Sequence, residues 1–312
     1  MSAAAEMWCC ASCGVAETDD IKLVPCDGCD LVTYCSDDCQ YNHRSEHAAN
    51  CRKRAAELND ELLFKQPEST HLGDCPICLL PIQLRTSQDP IVRYTMYRCC
   101  SKSVCLGCEY AIIEGEINLG QPHLCPFCRT PELTAEEMEL NQQKRAAKND
   151  PNALHQMGCD YSREGDHSTA IEYWEKAAGI GNFESHNQLS WAYQHGLGVA
   201  KDKEKFIFHL EQAAIGGHPN ARHNLGVWEL TENYNPDRAA NHFIIAANQG
   251  FDSSIEVLKK LYTQEMVSKE DYAAALSTHQ AALDAMKSPQ RDTAEAFQRD
   301  DLDEGGGSGM EE

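Results

Sequence analysis

The sequence lacks a long apolar run and any excess of positive charge. No window of its 312 residues approaches 18 apolar residues, and the stretch Met1 to Trp8 has no apolar segment of signal-peptide length. We therefore expect neither a membrane span nor secretion. Lysine and arginine number 27 against 49 aspartates and glutamates, which gives a formal net charge of -22. Such a chain is poorly suited to binding nucleic acids or anionic membranes, which attract positive surfaces.

The sequence also lacks the patterns of common catalytic classes: a Ser/His/Asp arrangement, a phosphate-binding loop or a Rossmann glycine motif. Cysteine is scarce in the second half, since 16 of the 17 cysteines lie between Cys9 and Cys128. In a chain without a secretion signal, this grouping indicates bound metal rather than disulfides, and it predicts a cytoplasmic or nuclear protein. We expect the remaining one, Cys159, to be a buried core residue.

Eight of the cysteines form four close pairs in the middle of the front half. The pairs are Cys75 and Cys78, Cys99 and Cys100, Cys105 and Cys108, and Cys125 and Cys128. A CxxC turn directs two thiolates towards one point, and two such pairs complete a closed tetrahedral zinc site. The pattern therefore predicts two zinc ions within residues 75–129.

The order and spacing of these pairs resemble a RING finger. The resemblance implies a cross-brace, in which alternate pairs share a zinc ion. It assigns Cys75, Cys78, Cys105 and Cys108 to the first zinc, and Cys100, Cys125 and Cys128 to the second. Where the family usually has histidine, this sequence has Lys102, whose ammonium group cannot ligate zinc without losing its proton. The fourth ligand is then Cys99, which we favour, or His123.

RING fingers that act as ubiquitin ligases hold a ubiquitin-loaded conjugating enzyme and have no catalytic nucleophile. Their binding surface uses an apolar residue in the first CxxC, a proline in the last and a cation after the final ligand. Those positions are Ile77, Pro126 and Arg129 here. The plain alternative is that Ile77 and Pro126 only cover the zinc loops and that Arg129 is a solvated charge. The resemblance thus implies a ubiquitin ligase, and a non-catalytic scaffold that binds partner proteins remains the alternative.

A second set of eight ligands lies upstream, in residues 10–51. Its members are Cys10, Cys13, Cys26, Cys29, Cys35, Cys39, His47 and Cys51. The last two pairs have a spacing of four residues, which places each pair on one face of a helix. About 42 residues bury too little apolar surface to fold alone, so metal is expected to stabilise this segment.

With its Tyr34-Cys-x-x-x-Cys-Gln signature, this segment resembles a MYND-type zinc finger. The resemblance implies two interleaved sites. It assigns Cys10, Cys13, Cys35 and Cys39 to one zinc, and Cys26, Cys29, His47 and Cys51 to the other. Cys9 and His43 are then outside the sites. The family binds short, often proline-containing peptides, so this module is expected to recruit protein partners.

From Asn149 onwards the chain repeats itself. Paired alanines recur at Ala177-Ala178, Ala213-Ala214, Ala246-Ala247 and Ala281-Ala282. Their spacing of 33 to 36 residues predicts four stacked helix pairs, and a glycine after three of the alanine pairs is expected to end the second helix. The stretch Gly196 to Asp202 resembles the loop of the Sel1-like repeat, a relative of the tetratricopeptide repeat. Such a stack presents a concave surface to partner proteins.

Nearly all of the recurring aromatic residues of the repeats are predicted to be buried in the core. Any exposed one on the concave face is a candidate for partner recognition. They are Trp174, Trp191, Tyr193, Phe206, Phe208 and Trp228.

Taken together, the sequence predicts a multidomain protein, with two small binuclear zinc fingers followed by an α-helical repeat solenoid. The expected segments are a MYND-type finger at 10–51, a linker at 52–74, a RING-like finger at 75–129, a helical spacer at 130–148, repeats at 149–285 and a disordered acidic tail at 286–312. Four zinc ions are expected in all. The combination resembles multidomain zinc proteins of unicellular algae.

Overall fold

The structure is a computed structural model that describes residues 9–84, 91, 93–120 and 122–305. The chain divides into two compact units, Met1–Lys65 and Gln66–Glu312. The boundary falls inside the predicted linker, and the RING-like segment belongs to the same unit as the repeats. Within the described residues, no helix has both the length and the apolar character needed to cross a membrane.

The first unit contains one small hairpin and one long helix. Strand β1 (Val24–Pro25) pairs antiparallel with β2 (Thr33–Tyr34), and helix α1 spans Asp37–Leu63. The Ser36 side chain caps α1 by accepting a hydrogen bond from the amide of Cys39. Since α1 continues to Leu63, the MYND helix extends well into the segment predicted as a linker. Cys35 precedes the helix, so the predicted helical pairing of Cys35 with Cys39 is wrong.

The RING-like segment forms a hairpin followed directly by a helix. Strand β3 (Tyr94–Tyr97) pairs antiparallel with β4 (Lys102–Cys105), and α2 spans Leu106–Leu119. A left-handed glycine, Gly120 at φ 62°, ends α2. The predicted spacer follows as α3 (Ala135–Ala146), and a capping box joins Thr134 and Glu137 at its start.

Eight further helices form the repeat region as four consecutive pairs. They are α4 (Pro151–Glu164), α5 (His167–Gly179), α6 (Phe183–His195), α7 (Lys203–Ile215), α8 (Pro219–Thr231), α9 (Pro236–Asn248), α10 (Asp252–Thr263) and α11 (Lys269–Ala285). The predicted architecture of zinc fingers followed by a helical repeat region is confirmed.

The repeated alanines and glycines have the roles that their spacing predicts. Ala177, Ala213 and Ala246 are completely buried, which lets neighbouring helices approach closely. The glycines that follow the second helices adopt the left-handed conformation, with φ of 91° at Gly181 and 81° at Gly217. The fourth pair differs, because Ala281 is exposed. Terminal units of a repeat stack commonly depart from the pattern in this way.

Two predictions about the C-terminal half are wrong. The tail predicted as disordered from residue 286 contains helix α12 (Pro289–Gly305), while residues 306–312 lie outside the described residues. Its composition is acidic, but Ala294 is completely buried against Ile91 and Leu106. Composition alone did not reveal this apolar face.

The predicted aromatic core is also incomplete. Trp174, Tyr193 and Phe206 are buried, but Trp191 and Phe208 are 55% and 52% exposed. By the sequence argument, these two exposed rings become candidates for partner recognition.

Candidate zinc centres and their surroundings

Three of the CxxC turns share one backbone geometry. In each turn, the residue after the second cysteine has a left-handed conformation and its amide donates to the carbonyl of the first cysteine. The three residues are Gly14, Leu79 and Arg129, with φ of 75°, 58° and 61°. The first cysteine's own amide donates back across the turn, to Val15, Leu80 and Thr130 respectively. These hydrogen bonds fix both thiol groups on the same side of the loop.

The MYND segment brings its eight predicted ligands into two groups of four. One contains Cys10, Cys13, Cys35 and Cys39, and the other contains Cys26, Cys29, His47 and Cys51. The Nε2 atom of His47 lies 3.1 Å from the Cys29 sulfur, and both residues are buried. Cys9 belongs to neither group. His43 is also outside, because its Nδ1 forms a 3.1 Å hydrogen bond with the Tyr34 hydroxyl.

The RING-like segment likewise forms two groups of four. The first contains Cys75, Cys78, Cys105 and Cys108, and the second contains Cys99, Cys100, Cys125 and Cys128. The backbone alternates between the two groups, as in a cross-brace. In the first group Cys75, Cys105 and Cys108 are buried, and the amide of Cys105 donates to the Cys75 sulfur over 3.5 Å.

The fourth position of the second group is occupied by Cys99 in the structure. Its sulfur lies 3.4 Å from that of Cys128. His123, the alternative considered from the sequence, points instead to Glu116, with 2.6 Å between Nδ1 and Oε2. Because that hydrogen bond and the bond from the Leu124 amide stabilise the carboxylate, the pKa of Glu116 is lowered, with the His123 contribution the larger. Lys102 is not a member of the group.

The distances within these groups suit tetrahedral zinc. With Zn–S bonds of about 2.3 Å, the sulfurs of a tetrahedral site lie roughly 3.8 Å apart. Six sulfur pairs within the four groups lie between 3.4 and 3.7 Å apart, and the ligand atoms of each group all lie within 4.8 Å of one another. The cysteines of the four groups are not joined in disulfides. The four groups are therefore compatible with four bound zinc ions.

The three residues proposed from the sequence for partner binding lie in the loops of the first and last CxxC pairs of the RING-like segment. Ile77 is 44% exposed, Arg129 is exposed and Pro126 is half-buried. Phe127, next to Pro126, points inwards, where its ring packs edge-on against Tyr97 at 6.1 Å. Ile77 and Arg129 are thus available to a partner.

A fifth group of possible ligands, His71, Glu184 and His218, does not fit a metal. The Nε2 atoms of His71 and His218 lie 3.2 and 2.9 Å from the same Glu184 carboxylate oxygen. The Nδ1 atom of His218 accepts a hydrogen bond from the Ala221 amide as the N-cap of α8. A neutral His218 therefore carries its proton on Nε2, so that atom donates to Glu184 and has no lone pair for a metal.

This cluster instead stabilises the packing of residues 66–73 against the repeats, since His71 contacts Glu184 of α6. Although burial alone would raise the pKa of Glu184, the hydrogen bonds from His218 and His71 hold it well below 4.5. The His71 amide donates to the Gly217 carbonyl at 3.0 Å, and the Gln249 side chain donates to the Ser69 carbonyl at 3.3 Å. The stretch expected as a free linker is therefore bound along the loops that join successive repeats.

Cys159, predicted to be a buried core residue, is only half-buried in the structure. Burial raises its pKa to about 11, and its sulfur lies 3.4 Å from Nε2 of the buried His155. At neutral pH such a thiol remains protonated, which favours a structural role.

Comparison with known proteins identifies two of the modules. Residues 10–51 match the MYND finger, and residues 151–182, 183–218 and 219–251 match the Sel1 repeat. The matched repeats coincide with the pairs α4–α5, α6–α7 and α8–α9. These two matches support a zinc-binding role and a role in protein interaction.

Similar sequences and folds come from bacteria. An uncharacterised protein of Neisseria meningitidis serogroup B is 30% identical over 149 residues, which is 47% of this chain. The match spans about a third of that relative's length, 32%. A Sel1 repeat protein from Oxalobacter formigenes is 17% identical, with a TM-score of 0.42 over 58% of this chain and 74% of the other.

Two further solved structures are similar at the same level. A protective antigen of uropathogenic Escherichia coli with an SLR fold is 21% identical, with a TM-score of 0.39 over 54% of this chain and 36% of the other. An immunity protein of Pseudomonas aeruginosa is 15% identical, with a TM-score of 0.38 over 59% of this chain and 70% of the other.

Proposed function

We propose that this protein is a RING-type ubiquitin ligase that recruits substrates through its MYND finger and Sel1 repeats. The observation that carries the proposal is the interleaved arrangement of the two RING-like cysteine groups, with Ile77 and Arg129 exposed on their outer loops. The RING-like module would bind a ubiquitin-conjugating enzyme and orient its thioester, and it would supply no nucleophile. The 15 thiols of the four ligand groups require a reducing compartment, so we propose that the protein is cytoplasmic or nuclear.

An apolar face on α2 supports the proposal. Ile113 and Ile117, one helical turn apart, are 40% and 73% exposed. Exposed apolar side chains at this spacing are typical of a surface that docks a partner. Together with Ile77, they give the RING-like module three exposed isoleucines on short, metal-stabilised elements.

Recruitment of substrates would use surfaces on the other two modules. The MYND unit has a groove of about 850 Å³ along α1, which includes ligands of the second MYND zinc group and is also lined by Tyr34, Tyr41 and Arg44. Tyr41 is 74% exposed, so an aromatic ring is available to stack on a proline of a bound peptide. On the repeats, the exposed Trp191 and Phe208 are the matching candidates.

Autoubiquitination of the full zinc-loaded chain with a panel of conjugating enzymes tests the proposal. Arg129→Gly separates loss of the cation from disruption of the loop, because Arg129 has φ of 61° and glycine adopts that conformation without strain. The substitution removes the positive charge and keeps the loop conformation favourable, so any loss of activity is not explained by a disrupted turn. Ile77→Ala removes the apolar contact, and Arg163→Ala, at an exposed arginine on α4, is the matched control for lost charge.

We expect Ile77→Ala and Arg129→Gly to lower activity at least tenfold, with Arg163→Ala unchanged. Absence of activity with every conjugating enzyme, or activity that neither variant reduces, would contradict the proposal.

A non-catalytic scaffold is the second candidate, and a specific observation favours it. The second RING-like group uses the adjacent cysteines Cys99 and Cys100, with Lys102 at the family's histidine position. This difference from the RING family lies in the loop beside the second zinc. It leaves the MYND and repeat surfaces unchanged, and those are the surfaces that a scaffold would use. A scaffold would capture partners through those surfaces and show no ubiquitin transfer in the same assay.

A further inference from the structure

Helix α12 lies on the RING-like module, although about 160 residues separate the two in sequence. Gly107 of α2 meets the backbone of Arg291, since a Cβ added at Gly107 would lie 2.8 Å from the Arg291 nitrogen. Arg93 and Glu295 form an ion pair across the contact, and the rings of Tyr110 and Phe297 lie 5.3 Å apart. These contacts place the first turn of α12 against the first cysteine group.

Arg291 is the largest side chain in this contact and is only 1% exposed. Its Nη1 atom donates to the carbonyls of Pro81 and Met286, each at 2.7 Å. Its Nη2 atom donates to the Leu80 carbonyl at 3.2 Å and to the Cys78 sulfur at 3.4 Å. The guanidinium group therefore binds backbone carbonyls of the first zinc loop and also contacts the ligand Cys78.

The charges of the two partners are complementary. Within the part of the chain that the structure describes, the side-chain hydrogen-bond acceptors of Arg291 are three carbonyls and one sulfur, and none is a carboxylate. A buried cation without a counter-charge is strongly unfavourable. Four thiolates around one Zn²⁺ carry a net charge of -2, and three of the four cysteines here are buried as well. Arg291 offsets half of that negative charge, and the zinc centre supplies the counter-charge that the buried cation needs.

We propose that Arg291 is the counter-charge of the zinc centre formed by Cys75, Cys78, Cys105 and Cys108, and that metal loading there is coupled to docking of α12. The coupling is reciprocal: the helix slows release of this zinc, and loss of this zinc releases the helix. Arg291 is a positioning residue in this scheme, since it acts on the Cys78 thiolate and does not itself bind the metal. The inference requires the first RING-like zinc site and is independent of ligase activity.

Zinc release from the full chain to a chromophoric chelator tests one half of the coupling. The variants are Arg291→Gln, which removes the charge, and Arg291→Lys, which retains it, with Arg163→Gln as a control at an exposed arginine. We expect Arg291→Gln to speed release of one zinc per chain about tenfold, the lower end of the usual effect of residues that support metal ligands. Arg291→Lys should lie nearer the natural protein.

Mass spectrometry of alkylated thiols then identifies which site has opened. Early alkylation in Arg291→Gln should fall on the first RING-like group and spare Cys99, Cys100, Cys125 and Cys128. Unchanged release rates in Arg291→Gln, equal effects of Gln and Lys, or alkylation spread evenly over all groups would overturn the proposal.

Hydrogen exchange on the natural protein tests the other half and does not depend on any variant folding. Partial chelation should increase exchange in residues 289–300 in step with alkylation of Cys78. If those residues remain protected after the first group has been alkylated, α12 is not coupled to the metal and the inference fails.

Discussion

At the residue scale, some side chains have roles that the local sequence pattern does not predict. Every predicted zinc ligand is recognisable because cysteine pairs are rare and their spacing reflects a turn that points two thiols the same way. Arg291 and Glu184 have no such signature. Each is an ordinary charged residue in the sequence, and its role depends on which distant carbonyl, sulfur or imidazole the fold brings to it.

The choice between Cys99 and His123 can be tested directly. In the structure Cys99 lies within the second RING-like group, whereas His123 pairs with Glu116. We therefore expect Cys99→Ser to lower the zinc content of the chain from four to about three per molecule, and His123→Gln to leave it unchanged. Elemental analysis of both purified variants measures this. The reverse result would show that the second site uses the histidine.

A buried histidine gives the repeats a defined response to acid. Burial, together with the charges of Arg222 and Arg238, lowers the pKa of His242 to about 3, from 6.5 in an unfolded chain. Below pH 6.5 the unfolded chain binds a proton that the folded chain does not, so stability falls as the pH falls towards 3. At pH 5.5 this amounts to about 1 kcal/mol.

We expect His242→Asn to reduce the loss of thermal stability between pH 7.5 and 5.5 by about that amount. The natural protein and the variant lose zinc alike in acid, so the difference between their melting curves isolates the histidine. An identical loss in the two proteins would contradict the assignment.

At the element scale, repetition made the helices predictable. A small residue recurring every 33 to 36 positions, followed by a glycine, indicates both the helix pair and the turn that ends it. Helix α12 has no repeat and little apolar content, so its composition favoured disorder. It is ordered because Ala294, Arg291 and Phe297 lie on one face and find their partners on the RING-like module.

Close helix contact within one repeat provides a prediction at this scale. A Cβ added at Gly226 of α8 would lie 2.7 Å from the ring of Phe243 in α9. We expect Gly226→Ala to destabilise the repeats by about 1–3 kcal/mol, as overpacking does in other cores. Gly179→Ala is the matched control, because no atom lies within 4 Å of its added Cβ. Denaturant unfolding that ranks the two variants equally would contradict the packing account.

At the scale of the whole molecule, the sequence predicted the kinds of module but not how they are grouped. The sequence predicts the RING-like segment as a separate finger between a linker at 52–74 and a helical spacer at 130–148. It belongs instead to one compact unit with the repeats, held by residues 66–73 on one side and α12 on the other. These connections use backbone carbonyls and single side chains, for which sequence spacing provides no signal.

Metal content tests the central claim most directly, since the claim is that four zinc ions organise both fingers. Elemental analysis of carefully reduced full-length protein, calibrated by amino-acid analysis, should give four zinc ions per chain. The double variant Cys75→Ser/Cys105→Ser should give three, because it removes one site only. Two or fewer zinc ions in the natural protein would contradict the account.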